Sequence, residues 1–175
     1  AQGYHEIGMD HFALESDAMY QSFQAGILHR NFMGYTASKT QVMIGLGISS
    51  ISDSWYSFAQ NEKKLEDYYA RLENNELPIY RGHILNAEDL MIRRHILNLM
   101  CSFQTSWTEP DMQFPELAEV LGQLEEMRDD GLLEIRPHSI RVTEQGKAFL
   151  RNICMAFDLH LKRRRPESRI FSMTI

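Results

Sequence analysis

The chain has 175 residues, 43% of them hydrophobic and 24% charged, and a formal net charge of −6 at pH 7. This composition excludes wholesale disorder and leaves room for a core, in one domain or in two small modules that share it. The acidic balance argues against a dedicated nucleic-acid binder, and no run reaches the ~18 apolar residues of a membrane-spanning helix. No signal peptide opens the chain, which begins at Ala1 and passes almost at once into an apolar segment, a start expected of a piece of a longer protein. The two cysteines, Cys101 and Cys154, lie far apart in apolar stretches. They lack the close spacing of a metal or iron–sulfur site and read as buried free thiols, which suits a reducing cytoplasm.

Residues 7–13 read as a short buried strand. Ser16 and Asp17 are candidate caps for a helix over 18–25, which Gly26 can end in a left-handed conformation. A polar and aromatic loop is expected over 29–39, then a second strand-like run over 42–52 that contains Gly45 and Gly47. A helix over 63–74 carries Leu65, Tyr68, Tyr69 and Leu72 at spacings of three and four, expected as its core face. Strand, helix, strand, helix at these lengths suggests α/β units, the end of a barrel.

The character changes after Pro78. Asn86 caps a helix over 87–103 whose apolar side is Leu90, Ile92, Ile96, Leu97 and Met100. Pro115 suits the start of a helix over 116–129. Strands at 132–135 and 140–142 then read as a hairpin about Arg136-Pro137-His138-Ser139. Thr143 opens a last helix to about residue 163, with Glu144 in its first turn, the basic run Lys162-Arg163-Arg164-Arg165 as a solvated tail, and Pro166 ending it. The predicted fold is α+β and mostly helical. Residues 1–78 are expected to form the last strand and helix units of a partial (β/α) barrel, and residues 79–175 a winged-helix-like carboxy-terminal domain.

The strongest local signal is His29-Arg30-Asn31-Phe32-Met33-Gly34-Tyr35-Thr36, preceded by Ile7-Gly8-Met9-Asp10-His11-Phe12-Ala13. Further blocks follow in order: Gly45-Leu46-Gly47-Ile48-Ser49-Ser50-Ile51-Ser52, Tyr56-Ser57-Phe58-Ala59-Gln60-Asn61, Arg81-Gly82, and Asp89-Leu90-Met91-Ile92-Arg93-Arg94. Together with Val142-Thr143 and Arg151-Asn152-Ile153-Cys154-Met155, these closely resemble the oxygen-independent coproporphyrinogen III oxidases over nearly the whole chain. The resemblance implies a radical S-adenosylmethionine oxidoreductase of haem biosynthesis that turns two propionates of coproporphyrinogen III into vinyl groups. It implies S-adenosylmethionine and a [4Fe–4S] cluster as cofactors of the full-length protein. Relatives hold the cluster with closely spaced cysteines near the amino terminus, which this chain lacks, so the chain alone is expected to bind no cluster and to be inactive.

Carried over residue by residue, the resemblance places Ile51 at S-adenosylmethionine, and Phe32, next to Met33, is a candidate apolar wall of the pocket. Met33 stands where relatives often have a cofactor-contacting Gln and offers a weak sulfur acceptor instead of an amide. His29 and Arg30 are candidates to hold substrate carboxylates, because guanidinium groups grip carboxylates bidentately; a polar scaffold role is equally open to them, as it is to Asp10 and His11. Tyr68 and Tyr69 are expected in the core, and Arg93 and Arg94 paired with acidic neighbours. Two other readings are a winged-helix binding module and a haem-binding chaperone-like relative. The acidic second helix argues against the first, and the loop at 29–36 fits the oxidase pattern over the second. The expected partner is coproporphyrinogen III, with no nucleic acid and no membrane. Exposed barrel strands are expected to favour self-association.

Overall fold

The computed structural model describes residues 3–164; Arg165 and Pro166, read above as part of the tail and its end, lie outside them. The architecture is α+β, with short helices and four small sheets in which every pairing is antiparallel. Parallel α/β pairing, suggested by the element order, is not found among the described strands.

The single strand expected at 7–13 is instead a hairpin of β1 (Tyr4–Gly8) and β2 (His11–Leu14). Met9 reverses the chain with a positive φ of 49°. Helix α1 (Ala18–Gln24) begins where its cap predicts, with the Asp17 carboxylate accepting from the Met19 amide at 2.7 Å. The expected loop after it contains a second hairpin, β3 (His29–Asn31) with β4 (Gly34–Thr36). Its turn is set by the Asn31 side chain, which accepts from the Met33 amide at 2.8 Å. Gly34 completes it at φ +124°, where a Cβ would stand 2.9 Å from His11 Nε2.

Residues 42–50 are largely irregular, and regular pairing starts with β5 (Ile51–Asp53). A side chain replaces the missing strand partner: the Asn61 amide donates to the carbonyls of Gly45 and Gly47 at 3.1 and 3.0 Å. Strands β6 (Ser57–Asn61) and β7 (Ile79–Ile84) complete a sheet of order β5-β6-β7, so the chain crosses residue 78 within one sheet. Between them runs α2 (Leu65–Glu73), which buries no residue. Its apolar face was expected in the core, yet Leu65, Tyr69 and Leu72 are all exposed, because no described element covers that side. Tyr68 is partly covered and accepts from the Gly47 amide through its hydroxyl.

Helix α3 (Ala87–Ser102) opens with a reciprocal capping box between Asn86 and Asp89 and ends on Phe103, which is left-handed at φ 57°. It has two apolar faces. Ile92, Leu99 and the ring of His95 are buried, whereas Ile96, Leu97 and Met100 turn with Ile92 toward a cavity. Strand β8 (Gln104–Ser106), not expected from the sequence, joins the predicted hairpin of β9 (Leu133–Arg136) and β10 (Ser139–Val142) in the order β8-β10-β9. The helix expected over 116–129 breaks at buried Leu124 into α4 (Leu117–Gln123) and α5 (Glu125–Asp129). The single helix expected over 143–163 is a 3-10 turn at Gln145–Phe149 followed by α6 (Leu150–Met155) and α7 (Leu159–Arg164). Asp158 makes the second break by accepting from the Leu161 amide at 2.8 Å, which caps a helix in a new direction.

The main core gathers Leu99, Val120, Ile140, Ile153 and Phe157, all fully buried. A smaller cluster of Ile7, Ala13, Leu28 and Tyr35 joins it through Met9 and Phe23, and the Tyr35 hydroxyl donates to the Met100 carbonyl at 2.8 Å. His95 sits fully buried between Thr105 Oγ1 at 2.8 Å and the Met112 carbonyl at 2.9 Å. The carbonyl can only accept, so Nε2 carries the ring proton and Nδ1 takes the threonine hydroxyl.

Burial lowers the pKa of His95 below its ordinary 6.5, against a smaller opposing effect of the Met112 carbonyl. The unfolded chain therefore gains a proton near pH 6.5 that the folded chain refuses, and folding stability falls as pH drops below that value. Urea titrations across this range should show the decline, and His95→Gln should make its slope shallower. An unchanged slope in the variant would remove His95 as the cause.

Candidate functional site

The sheet β5-β6-β7 presents alternate residues on one face, and its register aligns them in rows. Asp53, Phe58 and His83 form one row, and Ile51, Gln60 and Arg81 the next. The first row lines a cavity of about 590 Å³ whose far wall is α3 and α7. The second lines an adjoining recess of about 400 Å³. Phe32, Phe58, His83 and His160 border both spaces. Between them Phe32 and Phe58 meet edge to face, with centroids 5.0 Å apart at 89°.

One wall of the large cavity is held by Arg93. Its Nη2 donates to Asp53 Oδ2 at 2.7 Å and its Nη1 to the Trp55 carbonyl at 2.9 Å. The guanidinium also lies over the rings of Trp55 and Phe58, at 4.4 and 4.9 Å. The other Asp53 oxygen accepts from the Trp55 amide at 2.8 Å and holds the tight turn in which Trp55 has φ 66°. One carboxylate thus fixes both the turn after β5 and the cation from α3. Arg94 makes the second expected ion pair, with Asp111 at 2.8 Å.

The residues singled out in the sequence fall in different places. Arg30 lines the large cavity, stacked 4.6 Å over Tyr35, its partner across the β3–β4 hairpin; its Nη1 is buried without a hydrogen-bond partner. Burial pushes the Tyr35 hydroxyl up to about 12, against the opposing pull of the Arg30 cation. Ile51 lines the small recess and Phe32 both spaces. Met33 is 85% exposed at the hairpin tip and borders neither space. His29 is buried behind the wall, 6.3 Å from Trp55, with its pKa lowered by burial and then by the cations of Lys39 and Arg93. His11 packs against Tyr35, with Nδ1 buried and unmatched.

A constellation not anticipated from the sequence stands where the two spaces meet. Asp89, buried at the start of α3, receives His83 Nε2 at 2.9 Å and His160 Nε2 at 2.6 Å. Burial alone would raise its pKa; the hydrogen bonds from His160, the Asn86 amide and His83 outweigh this and hold it below the usual aspartate value. The Asn86–Asp89 spacing is a legible helix-start signal, but nothing local pairs Asp89 with a histidine 71 residues away.

Residues 85–149 match the family model of the HemN C-terminal domain. Over 93% of its length the chain is 36% identical to the oxygen-independent coproporphyrinogen III oxidase of Escherichia coli strain K12, and over 99% of its length 36% identical to that of a Synechocystis strain. It superposes on the solved structure of coproporphyrinogen III oxidase (HemN) from Escherichia coli, a radical SAM enzyme. The TM-score is 0.83 at 36% identity, across 91% of this chain and 38% of that one. The chain is a relative of the carboxy-terminal part of the oxygen-independent coproporphyrinogen III oxidases. It spans 36% of the Escherichia coli protein and 39% of the Synechocystis one.

The cluster that the family implies takes thiolate ligands. The chain's two cysteines, Cys101 and the buried Cys154, lie far apart in sequence and do not make the closely spaced set of thiolates that such a cluster takes. The small recess sets Ile51 and the rings of Phe32 and Phe58 beside Arg81 and Gln60, an apolar surface with polar groups at its edge of the kind an adenosyl group takes.

The Asp53–Arg93 pair is nearly buried, at 8% and 12% side-chain exposure, so removing one partner strands the other. Asp53→Ala should destabilise the fold by about 3 kcal/mol in urea unfolding. A loss below about 1 kcal/mol would show that the pair does not brace the wall.

Proposed function

We propose that the chain forms the carboxy-terminal part of an oxidoreductase that converts coproporphyrinogen III to protoporphyrinogen IX without oxygen, in haem biosynthesis. In this reading two propionate side chains lose CO₂ and become vinyl groups. A reduced [4Fe–4S] cluster with S-adenosylmethionine, held by the complete protein, supplies the radical that removes a propionate hydrogen. The residues of this chain bind and orient. Arg30 holds a propionate carboxylate, Phe32 and Phe58 form the apolar wall between substrate and cofactor, and Ile51 backs the adenosyl group. Met33 and His29 belong to the same loop, with Met33 at its tip facing the rest of the protein and His29 behind the wall.

Arg30 carries the substrate half of this reading. It is a cation fixed by stacking over Tyr35, with its Nη1 unmatched, on the lining of the large cavity. A carboxylate would complete its hydrogen bonds. We keep residues 1–78 as the end of a partial barrel and residues 79–175 as a winged-helix-like domain, with β7 of the second part completing the sheet of the first; the strongly exposed apolar side chains lie before residue 85. Met33, Leu46 and Ile84 are more than 80% exposed. Among the described residues after 84, the large apolar side chains that stand exposed are Phe149 and Met155, at 45% and 40%. Such a patch calls for a covering partner, supplied by the remainder of the enzyme or, in the isolated chain, by a second copy. The acidic α4 and α5, with Glu119, Glu125, Glu126 and Asp129, do not suit a nucleic acid. No helix among the described residues is long and apolar enough to cross a membrane, and we place the enzyme in the cytoplasm.

In the complete enzyme, Arg30→Ala should raise the KM for coproporphyrinogen III by about tenfold or more while cluster content stays unchanged. An unaltered KM would overturn the assignment of Arg30. The chain by itself, incubated anaerobically with iron and sulfide, should develop no cluster absorption, and a stable four-iron cluster on it would refute the division of labour.

A further inference from the structure

Three separate elements bring His83 (β7), Asp89 (α3) and His160 (α7) together at the border of the two cavities. The two Nε2 atoms approach opposite oxygens of the same carboxylate, at 2.9 and 2.6 Å, and the rings stand edge to face with centroids 5.4 Å apart. One potential ligand atom from each residue lies within 4.8 Å of the other two. We propose that His83, Asp89 and His160 form a binding site for a divalent transition metal ion of the zinc type.

Two imidazole nitrogens and one carboxylate oxygen make a donor set of borderline softness, which suits Zn²⁺ and its neighbours more than Mg²⁺ or Ca²⁺. Ligands on such an ion at about 2.0–2.1 Å stand roughly 3.3 Å apart in a tetrahedral arrangement. The His160 Nε2–Asp89 Oδ1 separation of 2.6 Å is shorter than this by well under an ångström, and the ligand atoms all lie within 4.8 Å of one another, so rotations of the two rings bring the set to that spacing. The histidines can make them, since both side chains are 49% exposed, whereas Asp89 is 5% exposed and fixed.

The fixed partner is preorganised independently of the metal. Asp89 Oδ2 accepts from the Asn86 amide at 3.0 Å in the capping box, which leaves Oδ1 as the ligand atom. When the ion takes Nε2 of a neutral imidazole, the ring proton moves to Nδ1; an imidazolium releases one proton to solvent. All three ligands line the large cavity, so water completes the coordination shell from that side. The site rests on this geometry alone and does not depend on the function proposed above.

The untagged whole chain, titrated with Zn²⁺ in competition with a chromophoric chelator, should bind one ion with micromolar affinity. Co²⁺ at the same site should give visible d–d bands of a four- or five-coordinate centre. His83→Ala and His160→Gln should each weaken binding by about tenfold or more with the circular dichroism spectrum preserved, and Cys101→Ser should change nothing. The proposal falls if no saturable one-to-one binding appears at micromolar metal. It falls equally if affinity survives both histidine substitutions, or if it is lost with Cys101.

Discussion

A buried carboxylate is costly to fold around unless its lone pairs are used, and Asp89 uses them on three elements at once. It accepts from the Asn86 amide, from His83 and from His160, so the start of α3, strand β7 and helix α7 are registered on one group. Each donor lowers the penalty of keeping the charge out of water, and each is thereby held in place. Without this group β7, exposed along its length, would have little to fix its approach to α3. The cavity wall is therefore set by hydrogen bonding more than by apolar packing.

Asp53 plays the matching role on the opposite wall. One of its oxygens closes the turn at Trp55 and the other receives Arg93 from α3. Through Asp89 and Arg93, four residues apart on α3, the two pairs tie the same helix to the same sheet. What lies between is a space in which Asp53, Arg93 and Asp89 are fixed before anything enters it, and Arg30 is the member left with bonding capacity to spare. Such preorganisation lowers the entropic cost of binding an anionic ligand.

Local signals in the sequence located much of the second half. The capping box at Asn86, the proline before α4 and the hairpin around Pro137 all lie within a residue or two of their observed places. The failures came where tertiary contacts overrode a local pattern. Periodicity gave α2 a core face that nothing described covers, and apolar continuity suggested one strand where Met9 folds the chain into a hairpin. A continuous pattern after Thr143 concealed two breaks. One follows Gly146, which passes so close to the chain before β9 that a Cβ on it would fall 1.8 Å from the Leu132 carbonyl oxygen. At the site, Arg30, Phe32 and Ile51 were reachable through the family resemblance. The trio of His83, Asp89 and His160 was not, because its members come together only after β7, α3 and α7 have packed.

The aromatic partition between the two cavities has a dynamic meaning. Phe32 sits at a hairpin turn, 53% exposed, and touches Phe58 by a ring edge instead of being locked into a core. Its ring lines both spaces, so a ligand that displaced it from one side would change the surface met by a ligand on the other, and such a coupling would be equal in both directions by thermodynamic necessity. A single phenylalanine hinge can in this way make two binding events cooperative, with no movement of the backbone around them.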